Sequence, residues 1–247
     1  MIHYSSDSVA GGNSSYGCVA GILSLYSTAP RLAGDPVNAQ SFDFPVCHAV
    51  VEEVTIRDLI ALDGRNMDKI VKVAKGLEGR GVCFIATSCG LFAPFQKLIA
   101  GQLSVPFLSS ALQIVPFLSG FLGSARTVCV FTAHAGLLTQ EHLRDSGFGL
   151  DDIVVKGMEM YPEFARIVIE GGKDIDVAKF EAEVRQAAED VRRSGKRVDL
   201  VVLECPNLIT FRSVIQRALG VPVFDILTLI EFFASGYRLK RFSSGYV

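Results

Sequence analysis

The sequence has 247 residues, 49% hydrophobic and 20% charged, with 24 Lys and Arg set against 26 Asp and Glu. That length suits one large or two small globular domains, and the near-balanced charge excludes a broad electrostatic footprint for nucleic acid. No apolar run approaches the ~20 residues that span a bilayer, so no membrane partner is expected. Residues 1–17 are polar and rich in Ser and Gly, lack the apolar stretch of a secretory signal, and are read as a tail. In that context Cys18, Cys47, Cys83, Cys89, Cys129 and Cys205 are read as reduced thiols of a cytoplasmic protein.

Short branched, apolar runs alternate with amphipathic segments, which is the pattern of βαβ units and a parallel sheet. In the first half, strands are expected over 18–25, 47–54, 82–86 and 105–109, with helices over 66–78, 91–102 and 112–122. In the second half, strands are expected over 126–131, 152–156, 198–203 and 221–224. Helices over 136–146, 161–169, 176–194 and 207–219 alternate with them, and a last helix covers 227–234. The clearest is 176–194, where Val177, Phe180, Val184 and Val191 share a face, Glu181 can pair with Arg185, and Gly195 ends the run. That helix is scaffold.

The two halves repeat. Shifted by 116 positions, Phe84-Ile85-Ala86 falls on Leu200-Val201-Val202 and Cys89 on Cys205. Further along, Phe95 falls on Phe211, Ile99 on Ile215, Leu103 on Leu219, and Val105-Pro106 on Val221-Pro222. Two βαβ units share apolar positions by necessity, but nothing in their packing requires a Cys and a Val-Pro at matching places without a gap. The expected fold is therefore α/β, with two pseudo-symmetric lobes, each a mostly four-stranded parallel sheet flanked by helices. The first lobe is drawn over 18–112, the second over 113–226, and 227–247 packs back on the first.

Ligands of open parallel sheets bind beyond the carboxyl ends of the strands. Cys89 and Cys205 both stand there, between a strand and a helix, where the positive helix end is expected to favour a thiolate. Pseudo-symmetry would set one thiol on each side of a shared cleft. Such a pair can take a proton from one face of a carbon and return one to the other, without metal or organic cofactor.

The segments Ile85-Ala86-Thr87-Ser88-Cys89-Gly90 and Leu203-Glu204-Cys205-Pro206-Asn207 resemble the paired cysteine motifs of the aspartate/glutamate/hydantoin racemase superfamily. Gly21-Ile22-Leu23, the loop from Pro30-Arg31 to Gly34-Asp35, and Phe44-Pro45-Val46 extend the resemblance, which runs from about Gly17 to the end. It implies two facing α/β domains, no pyridoxal phosphate, and thiol-based racemisation or epimerisation of an amino acid or related carboxylate. Departures concern specificity. Family racemases carry Asn and Thr after the first Cys, where this chain has Gly90 and Leu91. They carry Thr and then His or Glu after the second, where it has Pro206 and Asn207.

Thr87 and Ser88 are candidates for the substrate carboxylate or for helix caps, as is Asn207. Gly90, Pro206, Thr132 and Arg31 complete the expected substrate contacts, with Arg31 neutralising a carboxylate. His134 and Glu204 are candidate assistants to the thiols, each with a structural alternative: a solvated loop histidine, and a glutamate pointing away. Cys83 and Cys129 are read as core, and Asp225 as a cap.

The chain has no G-x-G-x-x-G, P-loop, G-x-S-x-G or H-E-x-x-H motif, and its four His lack metal-site spacing. The expected partner is a small carboxylate substrate, with a homo-oligomer left open. The alternatives are a decarboxylase or a maleate-isomerase-like cis-trans isomerase on the same scaffold, or a non-catalytic two-lobed binding domain. Retention of both cysteines weighs against the decarboxylase, since the superfamily's decarboxylases work with one.

Overall fold

The computed structural model describes residue 12 and residues 16–61, 64–121, 127–145 and 147–238. Most of the expected tail and the last residues of the C-terminal segment lie outside them. Among the described residues, eight strands fall where the apolar runs stand. They are β1 Ala20–Leu25, β2 Val46–Val51, β3 Phe84–Thr87, β4 Phe107–Leu108, β5 Val128–Thr132, β6 Ile153–Gly157, β7 Leu200–Leu203 and β8 Val223–Phe224. They form two four-stranded sheets of identical topology, β2-β1-β3-β4 and β6-β5-β7-β8, with every pair parallel. The fold is the expected two-lobed α/β architecture.

Side-chain alternation explains why the central strands read as unbroken apolar runs. In the first sheet, Leu23 and Ile85 face one core with Ile70, Ala74 and Leu77, while Ile22, Phe84 and Ala86 face the other. The helices are α1 Ile56–Ile60, α2 Met67–Glu78, α3 Gln96–Ala100, α4 Ile114–Ser119, α5 Gln140–Leu143, α6 Pro162–Phe164, α7 Val177–Arg193, α8 Arg212–Leu219 and α9 Ile226–Tyr237. In α7, Asp176 caps Lys179 N–H at 3.1 Å, Glu181 pairs with Arg185 at 2.6 Å, and Gly195 turns the chain at φ +70°. Asp225 caps α9 at Thr228 N–H and pairs with Arg212 at 3.1 Å. The α9 helix crosses back to the first sheet, where Phe233 and Tyr237 lie 5.8 and 6.1 Å from the Phe84 ring.

The repeat holds in three dimensions. The strand bounds 84–87 and 200–203 differ by 116, as do those of β4 and β8. The expected helix after each cysteine differs in kind, however. Gly90–Phe95 and Pro206–Phe211 are 3-10 turns, and α-helix begins only at Gln96 and Arg212. Pro94, inside the first, lacks the N–H that a regular α-turn would use; Pro206 opens the second at a position where an α-helix needs no N–H, so it does not account for the 3-10 form there.

Candidate functional site

The carboxyl ends of β1, β3, β5 and β7 point into one cavity of about 540 Å³ lined by residues of both lobes. Leu25, Ser88, Thr132 and Glu204, at or just past those ends, all line it. Contacts between the lobes hold the walls. Thr28 Oγ1 donates to Gly171 O at 3.2 Å, Thr210 Oγ1 donates to Ala33 O at 2.8 Å, and Arg31 reaches Asn207 Oδ1 at 3.5 Å.

Cys89 and Cys205 both line this cavity, each as the last extended residue before its 3-10 turns. Of the residues singled out in the sequence, Arg31, Ser88, Gly90, Thr132, His134, Glu204, Pro206 and Asn207 line it as well. Thr87 does not. Its hydroxyl is buried, donating to Ser109 O at 2.6 Å and lying 3.1 Å from Cys89 O, so it braces the cysteine turn from behind. His134 is half-buried, and its Nδ1 accepts from Gly136 N–H at 3.1 Å, capping the turn Ala135–Leu137.

Cavity residues that the sequence did not flag come from α1 and from the segment after α6. Ile56, Arg57 and Ile60 line one wall, and Val168 to Gly171 another. The α1 helix has five residues, too short to show a period, but it carries a signal. Thr55 and Asp58 form a capping box, with Thr55 N–H donating to Asp58 Oδ2 at 2.8 Å.

The electrostatics of the thiols run opposite to expectation. Burial raises both, and the neighbouring Glu204 charge raises them further; Cys205 is pushed up to about 12, and Cys89 upward as well. Hydrogen bonds from Leu91 N–H to Cys89, and from the Asn207 side chain and backbone to Cys205, pull the other way without winning. Two turns of 3-10 helix focus little dipole, and desolvation of a buried thiolate outweighs it.

Glu204 is itself buried, and burial lifts its carboxyl to about 7. Its Oε2 accepts from Thr132 Oγ1 at 2.7 Å. Its Oε1 lies against the other lobe, where a Cβ at Gly90 would stand 2.1 Å away. Arg31 is held by Asp35 at 2.8 Å. Among the described residues no group of His, Cys, Asp and Glu is arranged to hold a metal, and no helix is long and apolar enough to cross a membrane.

Solved structures share this architecture. Glutamate racemase from Francisella tularensis in complex with D-glutamate superimposes with a TM-score of 0.56 at 13% identity, covering 92% of this chain and 85% of that one. Picrophilus torridus aspartate racemase gives 0.53 at 17%, covering 91% and 96%. A sulfate-associated variant of arylmalonate decarboxylase gives 0.52 at 17%, covering 92% and 97%. The chain has the two-lobed fold of the aspartate/glutamate racemase superfamily; at such identities the likeness carries the fold alone.

No protein-family model matches the chain. In sequence it is 26% identical over 216 residues to a dimethylsulfoniopropionate lyase of Durusdinium sp. clade D, covering 83% of this chain and 70% of that protein. It is 26% identical over 235 residues to one such lyase of Emiliania huxleyi and over 221 residues to another, covering 86% and 84% of this chain. The alignments cover 65% and 57% of those two proteins, so the chain spans less than two thirds of their length.

These relatives overturn the expectation of a racemase or epimerase, and with it the isomerase class, since all three are lyases. They favour the decarboxylase-like branch of the alternative, against which the presence of both cysteines weighs in the sequence. The physical reason is that two thiols do not select racemisation. Removing a proton beside a carboxylate is a first step common to several reactions, and the residues that remove it do not say what the resulting carbanion does next.

Proposed function

We propose that this chain is a lyase that takes a proton from the carbon next to a carboxylate and expels a substituent from the following carbon. Dimethylsulfoniopropionate is the substrate to test first. The observation that carries the reading is the meeting of Cys89 and Cys205, from symmetry-equivalent turns, on one cavity that also holds Arg31 and Glu204. The lyase relatives, aligned over more than four fifths of the chain, support the reaction class.

In this reading Arg31 receives the carboxylate, with Ser88 and Asn207 as hydrogen-bond partners. A thiolate, assigned to Cys205, takes the proton α to the carboxylate. The C–H electron pair becomes the Cα=Cβ double bond, the Cβ–S bond breaks, and its pair leaves on the neutral sulfide. The products are dimethyl sulfide, acrylate and a proton held on the thiol, which passes to solvent. Cys89, on the other turn, keeps its proton and excludes water.

The test is to incubate the protein with dimethylsulfoniopropionate and follow headspace dimethyl sulfide and acrylate by NMR. Equal amounts of both products, released at a rate proportional to enzyme, are expected. Release indistinguishable from a Cys89→Ser/Cys205→Ser double variant would overturn the reading.

A further inference from the structure

Glu204 stands out as a charge without a counter-charge. The residue is only 4% exposed, yet it lines the cavity. Among the described residues its one side-chain hydrogen-bond donor is the Thr132 hydroxyl, on Oε2. Arg31 is engaged by Asp35, and no Lys, Arg or His among the described residues pairs with Glu204. Ionising a carboxylate buried without a cation is costly, and a ligand that brings the missing positive charge would relieve that cost. The surrounding wall includes Leu25, Ile56, Leu91, Leu137 and Val168, which offer no hydrogen bonds and suit methyl groups.

We propose that Glu204 receives the cationic part of the substrate, so that the cavity selects carboxylates bearing a permanent onium charge over their neutral isosteres. The two opposite charges reach the thiols through different turns. Asn207 bridges Arg31 and Cys205, while Glu204 lies on Gly90, directly after Cys89. A zwitterion with its carboxylate on Arg31 and its onium on Glu204 has its reacting carbons beside the thiols. The onium charge vanishes as the leaving group departs, so Glu204 acts mainly in binding, and its loss raises KM more than it lowers kcat.

Occupancy also depends on pH, because only ionised Glu204 attracts the onium and burial lifts its carboxyl to about 7. The titratable and charged groups around it are Cys89 and Cys205 beside it, Arg31 across from them, and Arg57, His134 and Glu170 elsewhere on the wall. Both thiols are pushed upward by burial and stay protonated through that range, so they do not add to the Glu204 charge.

The inference takes its substrate class from the lyase reading. Calorimetry would compare the trimethylammonio analogue of propionate with its isostere in which carbon replaces nitrogen. The wild-type chain is expected to prefer the cation by about 10-fold or more. E204Q should bind both alike, and R31A should weaken both in parallel. The wild-type preference should also shrink on acidification through neutrality, which decides the matter if E204Q fails to fold. A preference that survives in E204Q, or that ignores pH, overturns the proposal. Turnover of dimethylsulfoniopropionate without any cation preference would sink this inference and leave the lyase reading standing. A Glu204-dependent preference without elimination would do the reverse.

Discussion

The Glu204 carboxylate of the second lobe rests on Gly90 of the first, so close that a methyl group added at Gly90 would stand 2.1 Å from Oε1. Gly90 is therefore the receptor for a buried acid from across the cleft. Gly90→Ala must displace Glu204 or part the lobes, and overpacking of this kind costs roughly 1–3 kcal/mol. Thermal unfolding of Gly90→Ala, Glu204→Ala and the double variant forms a cycle. The double variant should be more stable than the sum of the single effects, because the clash is gone. Strict additivity would mean that the two residues do not touch.

Ionising Glu204 in the folded chain works against folding. Its carboxyl is raised from 4.5 to about 7, so between those values the folded chain holds a proton that the unfolded chain releases. Stability contributed by the protonated acid is present below the lower value and is lost as pH rises through the upper one. The loss is on the order of 3 kcal/mol. Glu204→Gln cannot ionise, so its denaturation midpoint should overtake that of wild type above neutrality, while the two converge in acid. Parallel curves across the range would refute the burial argument.

Thr87 is predicted to matter for stability rather than for substrate. Its hydroxyl satisfies Ser109 O at 2.6 Å deep in the first lobe. Thr87→Val leaves that carbonyl unpaired and should cost about 1–3 kcal/mol in urea unfolding, with Thr87→Ser largely restoring it. KM should stay near wild type in both variants; a selective KM change would place Thr87 at the substrate after all.

Much of this architecture was legible in the chain, and its failures are instructive. The eight strands were readable because Ile22-Leu23, Phe84-Ile85 and Val201-Val202 are buried on both faces. The 116-residue offset carried the symmetry of the two cysteine turns through to the structure. The 3-10 start after each cysteine was missed because an apolar period looks alike in either helix, although Pro94 was visible in the first. Helix α1 was missed for its length. Gly90 was legible as a departure from the family pattern, but its partner lies 114 positions on in the other lobe, and no local pattern reports such a contact. The thiol shift was misjudged because a helix start shows in sequence whereas burial does not. The reaction class was missed because the residues that remove a proton are shared between isomerases and lyases.

Arg31 is held in place by Asp35, which is 3% exposed at its side chain, and it touches Asn207. A guanidinium so oriented suits bidentate capture of a carboxylate. Arg31→Ala should raise KM for a carboxylate substrate by 10-fold or more, at about 1.4 kcal/mol per decade, with a smaller effect on kcat. Arg31→Lys should recover only part, because the ammonium loses the fork. Asp35→Asn should fall between them by loosening the same arginine. Steady-state kinetics with unchanged KM in Arg31→Ala would remove Arg31 from the site.

The two thiols should not contribute equally. Cys205 accepts a hydrogen bond from Asn207 Nδ2 at 3.6 Å and another from the Asn207 backbone, whereas among the described residues Cys89 has the Leu91 N–H alone. Both are pushed upward by burial and by Glu204, but Cys205 is the better supported as a thiolate, and elimination needs only one base. Cys205→Ser should therefore lose ~100-fold or more in kcat, since a hydroxyl in that place is far too weak an acid to ionise. Cys89→Ser should keep a measurable fraction of the activity, with its loss coming from altered packing. Asn207→Ala should push the Cys205 thiol higher and move the basic rise of the rate profile to higher pH, while Asn207→Asp should do so more strongly by adding a like charge. Rate profiles of the four variants, read beside alkylation of Cys205 followed by peptide mass mapping, separate the cases. If Cys89→Ser is the dead variant and Cys205→Ser retains turnover, the base has been assigned to the wrong lobe. If both are equally dead, elimination here draws on both thiols, and the second supplies more than a wall.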